Sequence, residues 1–75
     1  MNQVSEILKN SQVQLLALSG GWTDVLIKSS PEDFAALVRH RNKIAESLGV
    51  DKAKITLTAD DRVISFDVGV KSAKN

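Results

Sequence analysis

Cysteine and tyrosine are missing from the chain, and histidine, proline, tryptophan and methionine occur once each. Without cysteine there is no disulfide, no thiolate zinc site and no cysteine nucleophile, although the redox compartment stays open. General acid–base or metal chemistry needs convergent titratable groups. Here His40 stands alone, and the carboxylates fall mostly at a helix start (Glu32, Asp33), a turn (Asp60, Asp61) and exposed strand positions. Gly20-Gly21 is followed by neither a helix nor a lysine, so it reads as a turn and not as a phosphate loop. Asp60-Asp61 supplies too few oxygen ligands for a cation cage. The expectation is a protein that is not an enzyme and holds no cofactor and no metal.

An excess of charge of one sign is also lacking: the formal net charge is +1, with 43% hydrophobic and 25% charged residues. That balance gives no electrostatic basis for nucleic acid or an anionic membrane as a default partner. No apolar run approaches the length of a bilayer span, the start MNQVSEILKN lacks the pattern of a secretory signal, and residue 2 is Asn rather than a lipidation glycine. A cytoplasmic protein with no membrane partner is expected. Seventy-five residues make one domain, 1–75, which buries only about 60% of its unfolded surface; self-association would add to a thin core.

What the chain does have is one segment with a start, a body and a stop, Ser30 to Gly49, expected as a single long helix. Ser30 is a good N-cap, Pro31 occupies the first helical position, where a missing N–H is harmless, and Gly49 suits a left-handed C-terminal cap. Phe34, Leu37, Val38, Ile44, Ala45 and Leu48 fall on one stripe, with Ala35, Arg39, Asn42, Lys43, Glu46 and Ser47 opposite. Arg41 breaks the pattern by falling inside the stripe. The favoured reading lays its stem along the core edge with the guanidinium in water; the alternative is a partly buried arginine that grips a carboxylate or a ligand anion.

Residues 2–10 suit a short helix with Val4, Ile7 and Leu8 on one side. Residues 13–27 then alternate with period two around Ser19-Gly20-Gly21, which pairs Leu18 with Trp22, Leu15 with Val25 and Val13 with Ile27. The inner face of that hairpin is Val13, Leu15, Ala17, Thr23, Val25 and Ile27. A second hairpin turns at Asp60-Asp61, pairing Leu57 with Ile64, Ile55 with Phe66 and Lys54 with Asp67. Its inner face is Ile55, Leu57, Ala59, Ile64, Phe66, Val68 and Val70. The fold class is thus α+β, two layers, hairpin–helix–hairpin (ββαββ) with a short N-terminal helix in segment 1–11 and a frayed tail at 72–75. The alternative is αβαββ, with the N-terminal helix extended to Leu18 and capped by Gly20.

Two surfaces emerge as candidate sites. Leu16, Leu18, Trp22 and Leu26 share the outer face of the first hairpin, where they need either a cover from Val4, Ile7 and Leu8 or a protein partner. Arg39, His40, Arg41 and Lys43 form a basic run suited to phosphate or an acidic partner, which Lys52, Lys54, Lys71 and Lys74 would widen if they lay nearby; a solvated helix face is the commoner use of such a run. The favoured function is a small regulator or inhibitor that binds a protein target and forms a homodimer. The alternative, less favoured, is a nucleic-acid-binding regulator that uses the basic run; it lacks the aromatic platforms such binding usually employs.

Overall fold

Both hairpins form in the expected register. In the computed structural model, which describes residues 3–69, β1 (Gln12–Ala17) and β2 (Thr23–Lys28) are antiparallel, with Leu15 opposite Val25 and Val13 opposite Ile27. The connecting turn, Ser19–Gly21, places Gly20 and Gly21 at φ 75° and 81°, a region glycine enters without steric cost. The Leu18 N–H donates to the Trp22 carbonyl at 2.8 Å. Because residues 12–17 are strand, the αβαββ alternative with a helix running to Leu18 is excluded. In the second hairpin β3 (Lys52–Ala59) and β4 (Arg62–Gly69) pair Lys54 with Asp67, Ile55 with Phe66 and Leu57 with Ile64 across Asp60-Asp61. Val70 and the tail at 72–75 lie outside the described residues.

The two ribbons are parts of one sheet. β2 and β3 run parallel, with Val25 beside Ile55 and Ile27 beside Leu57, giving a mixed four-stranded sheet of order β1-β2-β3-β4. A parallel neighbour cannot be reached by a tight turn, so the chain between them crosses over through helix.

That crossover is not the single long helix expected. It is α2 (Pro31–Arg39) followed by α3 (Asn42–Leu48), so with the N-terminal α1 (Gln3–Lys9) the element order is α-β-β-α-α-β-β rather than ββαββ with one preceding helix. Both outer caps are as read: the Ser30 hydroxyl accepts from the Asp33 N–H at 3.3 Å, and Gly49 closes α3 at φ 69°. The break falls at His40, whose φ of −108° and ψ of 33° leave the helical region.

Arg41 explains why a break is favoured there. A straight helix would place its guanidinium in the middle of the apolar stripe, where an unpaired charge is costly. Leaving the helical path at His40 moves Arg41 to the surface while Phe34 and Leu37 before it, and Ile44 and Ala45 after it, remain buried. The freed backbone groups are re-satisfied locally: the Val38 carbonyl accepts from the Arg41 N–H at 3.3 Å and from its Nη1 at 3.2 Å, and the Lys43 N–H donates to the His40 carbonyl at 2.9 Å. Arg41 is therefore exposed and not the partly buried arginine of the alternative reading.

The core lies between the central strands and the helices. Val25, Ile27, Ala53, Ile55, Leu57 and Ala59 from β2 and β3 pack with Phe34, Leu37, Ile44 and Ala45, and α1 adds Val4, Ile7 and Leu8. The expected inner faces are only half right, because the helical layer is centred on β2 and β3. On the edge strands Leu15, which should face the core, is 53% exposed and Ile64 is also exposed, whereas Ala53, which is outside the expected inner faces, is fully buried.

Candidate protein-binding surface

α1 packs on α2 and α3 and meets β1, with Val4, Ile7 and Leu8 inside the same cluster as the sheet's inward residues. These three residues therefore do not cover the outer face of the first hairpin. Among the described residues, every helix contributes its buried side chains to one side of the sheet. No described residue forms a second layer on the other side.

The alternation of the strands sorts what that bare side presents. From β1 and β2 come Gln12, Gln14, Leu16, Asp24, Leu26 and Lys28, since Val25 and Ile27 point to the core. Leu16 is 60% exposed and Leu26 40%, Leu18 is exposed too, and Trp22 is half-buried. From β3 and β4 come Lys54, Thr56, Thr58, Val63, Ser65 and Asp67. The Thr56 and Ser65 hydroxyls share a hydrogen bond at 3.0 Å, and Lys54 lies 3.6 Å from Asp67. Both members of that ion pair are exposed, so its contribution to stability is small, on the order of 0.5 kcal/mol.

Over the first hairpin the face is thus mixed, with Leu16, Leu18, Trp22 and Leu26 set among Gln12, Gln14, Asp24 and Lys28, and over the second it is hydroxylic to charged except for the exposed Val63. The two halves meet at an open concavity of ≈ 360 Å³ lined by Leu18, Ser19, Trp22, Lys54 and Asp67. Such a pattern, with aromatic and aliphatic groups beside fixed polar ones, is what a protein surface needs to receive an apolar side chain and orient it. All four residues singled out from the sequence, Leu16, Leu18, Trp22 and Leu26, share this face. Lys54 and Asp67 are the additions that sequence reasoning paired correctly without recognising that the parallel β2–β3 seam carries them next to Trp22.

The basic run is differently placed from the expectation. Arg39 ends α2, His40 and Arg41 form the corner, and Lys43 lies in the first turn of α3, so Arg39 and Lys43 are not a pair four apart on one helix face. Arg39, Arg41 and Lys43 are exposed and His40 is half-buried. Lys52 and Lys54 do not widen this patch, because they alternate with buried Ala53 and so point to the outer side of the sheet, away from the helices. Lys71 and Lys74 lie outside the described residues. Among the described residues, no group of three or more histidines or carboxylates is placed to hold a metal ion, and no helix is long and apolar enough to cross a membrane.

Comparison of the chain with protein-family models, with curated proteins and with solved structures found no match.

Proposed function

We propose that this protein is a non-enzymatic protein–protein interaction module, a small regulator or inhibitor that receives its protein target on the outer face of the sheet and that associates with itself. One observation carries the reading: the helices among the described residues pack on the opposite side, and Leu16, Leu18 and Leu26 are left exposed on the same face as Trp22. Large apolar groups gathered on one uncovered face are characteristic of binding surfaces rather than of the scattered exposure found on any soluble domain. Trp22 is the natural anchor, since its indole is large, stiff and already partly desolvated, features that concentrate binding energy in a few residues.

The test is a Trp22→Lys variant compared with the unmodified protein as bait. Trp22 follows the turn and is only half-buried, so the fold should survive, as circular dichroism will report. Proteins retained by the unmodified bait and lost by the variant support the reading; an unchanged set of retained proteins refutes it.

The alternative of nucleic acid on Arg39, His40, Arg41 and Lys43 has less behind it. The corner between α2 and α3 offers these groups no aromatic platform, and a net charge of +1 supplies little long-range attraction. It would be marked by affinity for mixed oligonucleotides that falls steeply with added salt.

A further inference from the structure

An open sheet has two edges, and the two edges of this one are unlike. β4 carries Arg62 and Asp67, charged side chains of the kind that discourage strand pairing at an edge. β1, QVQLLA, carries no charge and no proline along its six residues, and it exposes a leucine on each face, Leu15 at 53% and Leu16 at 60%. None of the usual protections is present on this strand. We infer that β1 pairs antiparallel with β1 of a second copy, about a two-fold axis passing beside Leu15, to form one continuous eight-stranded sheet. This deepens the self-association proposed above, on which it rests, by naming the surface that mediates it.

The backbone fixes which groups are available. In an antiparallel ladder, residues alternate between those whose N–H and C=O face the neighbouring strand and those whose groups face away. The Leu18 N–H donates to Trp22 across the hairpin, which sets the phase: Gln12, Gln14 and Leu16 bond inward to β2. Val13, Leu15 and Ala17 therefore direct their N–H and C=O groups away from the sheet. A single two-fold register uses all three. It sets Leu15 opposite Leu15 of the partner subunit and Val13 opposite Ala17 of the partner subunit, with each such pair exchanging two hydrogen bonds.

The side chains agree with that register. Leu15 meets the partner's Leu15 on the helix side, in the gap where one subunit leaves it exposed. On the outer side Leu16 lies opposite the partner's Gln14 and diagonally across from the partner's Leu16, within reach for long side chains. No like charges are brought together, because β1 has none. A concavity of ≈ 420 Å³ between α1, α3 and the β1 edge, lined by Ser5, Leu8, Lys9, Val13, Ser47 and Leu48, adjoins the place where the added strand would lie. The arrangement is closed, whereas pairing β1 of one copy with β4 of the next would be head-to-tail and propagate without end. The symmetric pairing also joins the two outer faces side by side.

The experiment is molar mass by light scattering from about 10 µM to about 1 mM, a range that reads dissociation constants of the micromolar to sub-millimolar order. The unmodified chain should approach twice its 8.1 kDa. Leu15→Pro should remain at the monomer mass throughout, since proline removes an N–H that no bond within the subunit uses; Leu15→Lys serves as a second variant should the proline disturb folding. Trp22→Lys should stay dimeric. Amide exchange should slow at least tenfold at Val13, Leu15 and Ala17 as concentration rises, with Gln14 and Leu16 unaffected. A wild type that stays monomeric to about 1 mM, or a dimer that survives both Leu15 variants, overturns the inference. A dimer dissolved by Trp22→Lys and not by the Leu15 variants overturns it too, while leaving the outer-face reading standing. Edge-dependent dimers whose Trp22→Lys form keeps every target would do the reverse.

Discussion

Ile27 and Leu26 are neighbours in β2, yet the structure gives them opposite fates: Ile27 is 2% exposed within the core, and Leu26 is 40% exposed on the bare face. Truncating each to alanine turns that contrast into energy. Ile27→Ala removes buried methyl groups and leaves a cavity between the sheet and the helices, for a loss of about 3 kcal/mol. Leu26→Ala removes atoms buried to little more than half, and water fills the space, so the loss is about 1 kcal/mol. For a chain of 75 residues the total stability is on the order of 4–11 kcal/mol, so the first change threatens the fold and the second does not. Urea unfolding followed by circular dichroism at low micromolar concentration reads the difference. With a slope of about 1 kcal/mol/M, the midpoint should fall by about 3 M for Ile27→Ala and about 1 M for Leu26→Ala, with the slope itself unchanged. Equal shifts for the two would mean that the outer face is covered as well as the inner one, and the reasoning would fail.

The remaining predictions concern the caps and the two surfaces. Ser30→Ala removes the acceptor for the Asp33 N–H and should lower stability by about 1 kcal/mol, a fall of about 4–8 °C in Tm, with Ser30→Asp restoring it. Gly49→Ala forces a side chain into φ 69° and should cost about 1–2 kcal/mol by the same thermal measurement, whereas Gly69→Ala, with open space around its Cβ and no positive φ, should avoid that penalty. Trp22→Lys should abolish target capture while leaving the dimer intact, and Leu15→Pro should yield a folded monomer.

Both hairpin registers were legible because three independent signals coincide in each: alternation with period two, a turn of suitable residues, and an almost wholly apolar face that a slip by one residue would destroy. The caps of the crossover were legible for the same reason, since Ser30-Pro31 and Gly49 act through local backbone chemistry. The break at His40 was not, because it contains neither glycine nor proline. Its signal was Arg41 itself, whose place inside an apolar stripe is a conflict that the chain resolves by turning. The start of β3 at Lys52 was hidden by two lysines flanking Ala53, a residue too small to announce burial.

Sidedness was the other limit. Period-two alternation shows that Val13, Leu15 and Ala17 share a face, but coverage of that face depends on strand order, which is set by the non-local β2–β3 pairing. Leu15 is exposed because β1 is an edge, a fact absent from its local pattern. For the candidate surface, grouping Leu16, Leu18, Trp22 and Leu26 needed only the register. Whether α1 covered them depended on which side of the sheet Val4, Ile7 and Leu8 would join, and the spacing of those three residues is compatible with either.

The central claim is that the sheet is covered on one side only. It is tested most directly by methyl NMR of the protein at low concentration with a soluble gadolinium chelate, which broadens signals according to their access to solvent. The account predicts strong broadening at Leu16, Leu18 and Leu26 and little at Val4, Ile7, Leu8, Val25, Ile27, Ile55 and Leu57. Protection of Leu16, Leu18 and Leu26, together with proximity signals linking them to Ile7 or Leu8, would contradict it.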